Sequence, residues 1–432
     1  MFDTASDELL KSLRDTIVNK PPYISGTLPL SPGSFKLYYL NEGIPSYVDF
    51  TNATEEQVAA LAAACQPATF GVNQMDVLDE SYRKAGKMDA SHFATPLVPE
   101  RTELIRFIRE ELLDGDDSPR PVKIELYKLN VYALSGKDSF FKAHQDTPRG
   151  EHMFGSLVLV FPTQHEGGAL ILRHRGEEWT FDSAQVVKDQ PSPTIGFIAF
   201  FSDVEHQVSR VTAGYRFTLT YNLYYDDASP TASNSLDASS SGANLASFKT
   251  AFSNLLRNRE FLPSGGLVGF ALEHAYPVEK SLEHVPSILK GSDAMVWRAC
   301  TDLGIQPKIY LVYGEQHEDA WRVLVDRVCE GHTAFDGGYA EMLTFREGAI
   351  PFEIIEEKYF PKWYRERLQP VSWVLAPKAT HTKVKTHYAT YGNEPSTSYT
   401  YGEGCIIVTV PTLEEREERL YMKSDADCRT VS

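Results

Sequence analysis

Cysteine is scarce in this sequence, and its five residues are far apart, at positions Cys65, Cys300, Cys329, Cys405 and Cys428. No two of them form a Cys-x-x-Cys pair. An odd number of scattered cysteines argues against a disulfide framework and against a zinc ribbon. We therefore expect a reducing compartment.

Positive charge is also in short supply. The chain has 42 Lys and Arg against 59 Asp and Glu, a formal net charge of −17. Binding to phosphate groups requires concentrated Lys and Arg. A nucleic acid or an anionic membrane is therefore disfavoured as the main partner.

Long apolar runs are missing as well. No stretch approaches the roughly 18 apolar residues of a membrane-spanning helix. The first residues combine no basic segment with an apolar one, so no secretory signal is expected. These absences predict a cytoplasmic or nuclear protein without a membrane partner, and they leave its oligomeric state open.

A serine-rich stretch divides the chain. Residues 226–247 contain seven serines and no aromatic residue, and such a segment buries too little apolar area to offset its chain entropy. It predicts a linker or long loop. The predicted organisation is an N-terminal helical support region over 1–122, a core over 123–225, the linker over 226–247, and a C-terminal domain over 248–432.

Short β-rich runs characterise the predicted core. A helix is expected after Thr54, where Gln57 completes a capping box, and another after Thr102. From Lys123 onward, strands are predicted at 124–134, 155–161, 169–172, 195–201 and 216–225. Several short strands without intervening helices indicate an antiparallel sandwich or barrel.

The second half mixes helix and strand. Helices are predicted over 245–257 and from Ser292, as N-cap, to Gly304. Strands are predicted at 308–313, 322–328, 372–375 and 405–410. With the core, this gives an α+β fold class.

The clearest chemical pattern is His144-x-Asp146 at the end of a β-rich run. Residues i and i+2 of a strand point to the same side, so this imidazole and carboxylate can converge on one ion. His206 follows 62 positions later. Two histidines and one carboxylate form the facial triad of non-haem Fe(II) oxygenases, which leaves positions open for co-substrate and dioxygen.

Ten residues after His206 comes Arg216, in a run that is otherwise largely apolar. A dicarboxylate that chelates iron at one end needs a cation for its far carboxylate, and Arg offers a planar, permanently charged fork. Thr218, two positions on, can donate a hydroxyl to the same group. The alternatives are an exposed Arg at a strand end and a packed threonine.

A second His-x-Asp pattern occurs at His317 and Asp319. It lies in an acidic run, and the next histidine, His332, has no Arg ten positions after it. A surface loop is the favoured interpretation. His381 and His387 have no carboxylate two positions later and are expected to be ordinary histidines.

The segment from about 123 to 225 resembles the catalytic domain of prolyl 4-hydroxylase-type Fe(II)/2-oxoglutarate dioxygenases. The matching pieces occur in family order: Tyr132-Ala-Leu-Ser-Gly136, His144-Gln-Asp146, Gly167-Gly168-Ala-Leu170, Ile195-Gly-Phe-Ile-Ala-Phe200, His206 and Gly214-Tyr-Arg216. In finer detail the run from His144 to Leu157 is similar to an uncharacterised group of fungal members.

This resemblance implies a double-stranded β-helix, which is jelly-roll-like. The mixed α/β C-terminal domain contains no complete set of catalytic ligands in its sequence and is expected to be non-catalytic. The resemblance implies Fe(II), 2-oxoglutarate and dioxygen as cofactor and co-substrates, with ascorbate as an auxiliary reductant. It favours Tyr132 over Tyr127 as a residue that contacts 2-oxoglutarate.

The resemblance further implies hydroxylation of a prolyl or other amino-acid side chain, with a peptide, an amino acid or another small molecule as substrate. Two alternatives stay open, an oxidative nucleic-acid demethylase with the same iron centre and a non-catalytic binding module. Three further polar side chains, Arg149, Arg173 and His174, are expected to be solvated surface groups. Gly167 and Gly168 are expected to form a structural turn.

Overall fold

The chain divides into two compact units. The large-sheet unit comprises residues 21–237 and 389–399, and the six-stranded unit comprises 1–20, 238–388 and 400–432. The structure, a computed structural model, describes residues 4–72, 75–113, 121–133, 139–147, 149–150, 152–188, 190, 192–226, 240–278, 281–315, 321–329, 339–354, 357–377, 400–402 and 404–418. Within these ranges, no helix is both long and apolar enough to cross a membrane.

Helices are distributed over both units. In chain order they are α1 (Thr4–Asp15), α2 (Glu55–Ala64), α3 (Leu104–Phe107), α4 (Ser183–Val186), α5 (Ser240–Arg257), α6 (Val285–Ile288), α7 (Gly291–Asp302), α8 (Tyr339–Arg346) and α9 (Lys362–Arg365). The capping box predicted at α2 is confirmed, because Gln57 N–H donates to Thr54 Oγ1 and Thr54 N–H donates to Gln57 Oε1. The helix predicted after Thr102 is α3, which continues as a π-helical turn over Ile108–Leu112.

Strands dominate the large-sheet unit. They are β1 (Tyr23–Pro29), β2 (Lys36–Asn41), β3 (Ile44–Asp49), β4 (Gln66–Pro67), β5 (Phe70–Val72), β6 (Met75–Val77), β7 (Arg83–Lys84), β8 (Gly86–Asp89), β9 (Phe93–Ala94), β10 (Val122–Ala133), β11 (Ser139–His144), β12 (Met153–Val160), β13 (His165–Gly167), β14 (Leu170–His174), β15 (Glu177–Phe181), β16 (Thr194–Phe201) and β17 (Glu205–Tyr225). In the main sheet β1, β16, β12, β17, β10, β8 and β4 lie side by side in that order, and β7, β11, β13, β14 and β15 pair off this path. Smaller sheets join β3, β2 and β9, and β5 and β6.

The centre of this unit is the long strand β17. Its first half pairs with β11 and β14, and its second half pairs with β10 and β12. All eight residues of β16 are buried, so that strand is covered on both faces and reads as a continuous apolar run. The core strands predicted between 124 and 225 are thereby confirmed, with β17 longer than expected.

The N-terminal region differs from the sequence expectation of helix and loop. Residues 21–113 carry β1–β9, and β1 adds to the main sheet by pairing with β16, Tyr23 opposite Phe200. The sequence of β1 contains Gly26 and Pro29 and has no clear alternation of apolar and polar residues. Its strand conformation is therefore set by a partner far away in sequence.

The six-stranded unit has its own sheet and core. Its strands are β18 (Gly266–Ala271), β19 (Tyr276–Val278), β20 (Pro307–Glu315), β21 (Trp321–Val325), β22 (Ile350–Ile354), β23 (Val371–Leu375), β24 (Thr400–Gly402) and β25 (Gly404–Val410). The sheet order is β22-β21-β20-β25-β18-β23, with β18 and β23 parallel. Helix α1 belongs to this unit, where Arg14 Nε donates to the Val374 carbonyl at 2.5 Å.

One helix boundary in this unit corrects the sequence expectation. Helix α7 begins at Gly291, with Lys290 as its N-cap and no side-chain cap, so the N-cap predicted at Ser292 is wrong. The predicted end is confirmed, since Gly304 follows the helix with φ +74°. The whole chain is thus a mixed α and β protein with large antiparallel sheets.

Candidate active site

His144, Asp146 and His206 come together inside the large-sheet unit. His144 ends β11 and lies directly opposite His206 of β17 in the antiparallel pair, with 4.3 Å between the ring centroids. Asp146 follows two residues after His144. All three side chains are buried, and one candidate ligand atom from each lies within 4.8 Å of the others.

Backbone carbonyls orient both imidazole rings. Nδ1 of His144 lies 2.8 Å from the carbonyl oxygen of Lys142, and Nδ1 of His206 lies 3.1 Å from that of Val204. A carbonyl only accepts, so Nδ1 carries the hydrogen and Nε2 presents its lone pair. Burial, and secondly the charge of His206, lowers the pKa of His144 well below its usual value. The neutral ring is the form that binds metals.

The carboxylate of Asp146 is held in a similar way. Ser156 of β12 donates its hydroxyl to Oδ2 of Asp146, and Oδ1 lies 3.8 Å from Nε2 of His206. Two atoms that each bind one ion at about 2.1 Å can be at most about 4.2 Å apart. This separation is short enough for the two atoms to share one ion, and two imidazoles with one carboxylate are the ligand types of an Fe(II) site of the facial kind.

Arg216 is the largest fully buried polar side chain near this cluster, with 1% exposure. Its Nε donates to Ser183 Oγ at 3.1 Å, whereas its Nη2 has no hydrogen-bond partner. Burial lowers the pKa of Arg216 to about 10, so the group is still charged at neutral pH. A buried guanidinium without a matching anion is costly, which indicates a site for an anionic ligand.

The double glycine before β14 gives Arg216 its space. Gly167 and Gly168 have φ values of +73° and +74°. The turn predicted there is wrong, because β13 and β14 both pair antiparallel with β17 and run in the same direction, so the two glycines lie at a β-bulge-like irregularity between them. A Cβ atom on Gly168 would lie 2.8 Å from Cδ of Arg216 and 2.7 Å from Cγ2 of Val211. The absence of a side chain at Gly168 therefore leaves room for the arginine side chain.

A bend in β17 allows His206 and Arg216 to line one pocket. On a straight strand two residues ten positions apart would be separated by about 33 Å. The chain changes direction near Gly214, whose φ is +71° and where a Cβ atom would lie 2.1 Å from the Gln164 carbonyl oxygen. Arg216 then lies opposite Tyr132 of β10, with its Cζ 5.5 Å from the tyrosine ring centroid.

A single pocket contains the residues that the sequence analysis singled out. Its cavity volume is about 50 Å³, and its lining includes His144, Asp146, His206, Arg216, Tyr132 and Thr218. Phe141 stacks on the His144 ring at 3.6 Å, and Phe200 lies 4.7 Å from the His206 ring. The polar groups thus converge in a space with aromatic walls, as in small-molecule sites.

Sequence reasoning missed four polar residues of this site. Ser156 and Ser183 hold Asp146 and Arg216, and the buried cations Arg83 and Lys128 line the same pocket. Ser156 falls within the run from 144 to 157 and Lys128 shares β10 with Tyr132, whereas Arg83 and Ser183 come from β7 and α4. No local pattern in the sequence marks them.

The remaining polar candidates lie in different surroundings. Arg173 pairs with Glu178 at 2.7 Å, and His174 lies 3.2 Å from a carboxylate oxygen of Asp203. Arg149 donates to the hydroxyl of Tyr127, at 2.6 Å, and that tyrosine lines the pocket beside Tyr132. The second His-x-Asp pattern at 317–319 and the histidines at 332, 381 and 387 lie outside the described residues.

Comparison with known proteins gives distant structural likenesses. No family model and no curated protein matches the chain. A 2OG-Fe(II) oxygenase family oxidoreductase from Burkholderia pseudomallei is similar at 16% identity, over 52% of this chain and 94% of its own, with a TM-score of 0.25. A Pseudomonas putida prolyl-4-hydroxylase matches at 14% identity over 50% and 99%, with a TM-score of 0.25.

A third structure is a Trichoplax adhaerens prolyl hydroxylase in complex with a hypoxia inducible factor peptide fragment. It matches at 16% identity over 52% of this chain and 94% of its own, with a TM-score of 0.27. Likenesses with such TM-scores carry no argument about this chain. The function is therefore argued from the pocket itself.

Proposed function

We propose that this protein is an Fe(II)- and 2-oxoglutarate-dependent dioxygenase that hydroxylates an unactivated C–H bond. The observation that carries the proposal is the pairing of two features in one pocket. The His144, Asp146 and His206 cluster fits a facial iron site, and Arg216 is a buried guanidinium with an unpartnered nitrogen. An iron site and an anion site together are what a chelating dicarboxylate requires.

The chain's own residues hold the metal. Nε2 of each histidine and Oδ1 of Asp146 are the ligand atoms, and the backbone carbonyls and Ser156 fix their orientation. When bound, the iron supplies the oxygen-activating chemistry by which 2-oxoglutarate becomes succinate and carbon dioxide and one oxygen atom enters the substrate C–H bond. Ascorbate is the proposed auxiliary reductant.

Arg216 binds the far carboxylate of 2-oxoglutarate. The unpartnered Nη2 offers a hydrogen-bond donor, and the guanidinium charge is compensated once the carboxylate is in place. Two hydroxyls of the pocket lining, those of Tyr132 and Thr218, are proposed as additional donors to the co-substrate. Burial of Arg216, Tyr132 and Thr218 lowers the local dielectric, which strengthens these electrostatic contacts.

The fold and domain organisation form part of the same proposal. We assign residues 123–225 to a double-stranded β-helix, supported by the two halves of β17 pairing with different sets of strands. Residues 248–432 are proposed to be a non-catalytic domain. A prolyl or other amino-acid side chain, free or in a peptide, is the proposed substrate class. A complete ligand set in a buried pocket favours catalysis over a pure binding module.

Metal binding and co-substrate turnover test this proposal. We expect one Fe(II) per chain under anaerobic loading, and succinate formation from 2-oxoglutarate that requires iron and dioxygen. His144→Ala or Asp146→Ala should abolish both, because two remaining ligands retain the metal poorly. His284→Ala is the matched control, since His284 also bonds a backbone carbonyl but belongs to the six-stranded unit. A wild-type stoichiometry near zero would refute the iron assignment.

A further inference from the structure

The candidate pocket carries more positive than negative charge. The ionised groups in its described lining are Arg83, Lys128 and Arg216 on one side and Asp146 on the other, and each is at most 4% exposed. Buried charges are costly unless an opposite charge accompanies them. The protein therefore maintains a cationic surplus in a place where it is expensive.

Iron and 2-oxoglutarate do not remove this surplus. The metal brings two positive charges and the co-substrate brings two negative ones, so their formal charges cancel. Three cations and one carboxylate leave the pocket with two positive charges before and after loading. Arg216 is assigned to the co-substrate, so among the remaining cations the argument turns on Arg83. An anion beside Arg83 would compensate its buried charge.

Arg83 is the better defined of these two cations. Its Nη1 donates to the Thr69 carbonyl at 2.7 Å and its Nη2 donates to the Asn130 side-chain oxygen at 2.8 Å. Both acceptors are neutral, and Nε is buried without a hydrogen-bond partner. Arg83 thus repeats the features by which Arg216 indicates an anion site.

The position of Arg83 places this second site close to the metal ligands. Arg83 of β7 lies opposite Phe141 of β11, with its Cζ 4.3 Å from the phenylalanine ring centroid. The same ring stacks on His144 at 3.6 Å. One side chain therefore separates Arg83 from the first metal ligand, and none of the partners of Arg83 is shared with Arg216.

We infer that the substrate is a carboxylic acid whose free carboxylate binds the buried guanidinium of Arg83 while its reacting C–H lies at the metal. This inference rests on the proposed function and names the substrate class of the same site. Two sources share the chemistry, a free amino acid and the terminal carboxylate of a peptide. Lys128 of β10, whose Nζ lies 3.9 Å from the Tyr127 ring centroid, adds to the positive potential.

Ligand-induced thermal shifts test this inference without turnover. The full chain is loaded with Mn(II) and 2-oxoglutarate and titrated with L-proline, L-leucine, butyrate and N-acetyl-alanyl-proline, each against its carboxamide. The acids should raise Tm saturably and the carboxamides should not. A response to L-proline or L-leucine alone would identify a free amino acid as the source, and one to the acetylated dipeptide alone would identify a peptide terminus.

Two variants give the test its specificity. Arg83→Gln should raise the acid concentration needed for half of the Tm shift at least tenfold. Arg83→Lys keeps the positive charge and should show a smaller increase. Arg173→Gln is the matched control, because Arg173 pairs with Glu178 and should leave the response unchanged. If Arg83→Gln does not fold, the inference is tested by two other results. The acids must raise Tm more than their carboxamides in the wild type, and this difference must persist in Arg83→Lys.

The outcomes also separate this inference from the proposed function. Equal shifts from acids and carboxamides, no shift from any acid, or an undiminished shift in Arg83→Gln would each overturn the carboxylate inference. Mn(II) binding followed by electron paramagnetic resonance is measured first. A chain that binds neither Mn(II) nor 2-oxoglutarate contradicts the proposed function, and the same titrations on the unloaded chain still decide the role of Arg83.

Discussion

At the scale of single residues, the proposed binding of 2-oxoglutarate depends on a charge that the protein leaves partly unpartnered. Arg216 keeps its guanidinium 1% exposed, with Ser183 as a neutral hydrogen-bond acceptor. In the proposed reaction its counter-ion arrives with 2-oxoglutarate. In this proposal Asp182 offsets the charge of Arg216 only in part in the free protein, and the co-substrate carboxylate completes the compensation.

We predict that Arg216→Gln raises the 2-oxoglutarate requirement sharply while metal binding persists. Loss of a buried charge-assisted pair should cost roughly 2–4 kcal/mol, which is about a thirty- to several-hundred-fold loss of affinity. Isothermal titration of the Mn(II)-loaded protein measures it, with Arg173→Gln as control. Unchanged affinity would show that a different cation binds the co-substrate.

His144 predicts a pH dependence of stability in the metal-free protein. Its pKa lies well below the unfolded value of about 6.5 because of burial. As the pH falls through 6.5, the unfolded chain takes up a proton that the folded chain does not. The free energy of unfolding should therefore fall between pH 7.5 and 5.5.

Denaturant titrations at several pH values measure this effect. His144→Gln removes the titrating group, so its free energy of unfolding should fall less than that of the wild type over the same range. His284→Gln should follow the wild type. Parallel curves for the wild type and His144→Gln would mean that the imidazole is not kept neutral by folding.

The sequence alone was enough to predict some residues of this site but not others. His144, Asp146, His206 and Arg216 stand at recognisable spacings on two strands, so the sequence alone suggested that they meet. Arg83 was not predicted, because its role depends on β7 pairing with β11. A buried arginine and an exposed one look alike in sequence, and only the tertiary structure distinguishes them.

At the scale of elements, β17 shows what periodicity can and cannot predict. Its second half alternates clearly enough to be predicted as a strand over 216–225. The first half was not predicted, because Ser209, Arg210 and Thr212 interrupt the apolar pattern. Hydrogen bonding to β11 and β14 holds this first half in strand conformation although its own sequence favours a strand only weakly.

The glycine pair between β13 and β14 allows a test of how the backbone beside Arg216 shapes the site. We predict that Gly168→Ala weakens 2-oxoglutarate binding, because the added Cβ would lie 2.8 Å from Cδ of Arg216. Its φ of +74° adds backbone strain of about 1–3 kcal/mol. Affinity is measured by calorimetry and stability by denaturant titration.

Gly176→Ala is the matched control for this variant. Gly176 has a φ of +88° and nothing within 4 Å of the position of an added Cβ, so it carries the backbone strain without the contact. It should lose stability and keep its affinity for 2-oxoglutarate. Equal affinities of the two variants would show that Gly168 serves only the positive-φ backbone conformation at this position.

At the scale of the whole molecule, the six-stranded unit has an apolar core of its own, and the large-sheet unit holds the proposed binding residues. The six-stranded unit has its own apolar cluster, which includes Leu267, Val312 and Leu324. The large-sheet unit contains every residue proposed to bind iron, 2-oxoglutarate or the substrate carboxylate. A unit with its own core is able in principle to fold alone.

The last prediction follows from the proposal that all iron and 2-oxoglutarate ligands lie in the large-sheet unit. A fragment of residues 21–237 should bind one Mn(II) or Fe(II), bind 2-oxoglutarate with nearly wild-type affinity and form succinate slowly without substrate. It begins after α1, because that helix belongs to the six-stranded unit. The same fragment with His144→Ala is the control and should bind no metal. Circular dichroism establishes that both are folded. A folded fragment that failed to bind metal would show that the iron site depends on residues outside 21–237, which include 389–399 of the large-sheet unit. The proposed confinement of the iron site to residues 123–225 would then be wrong.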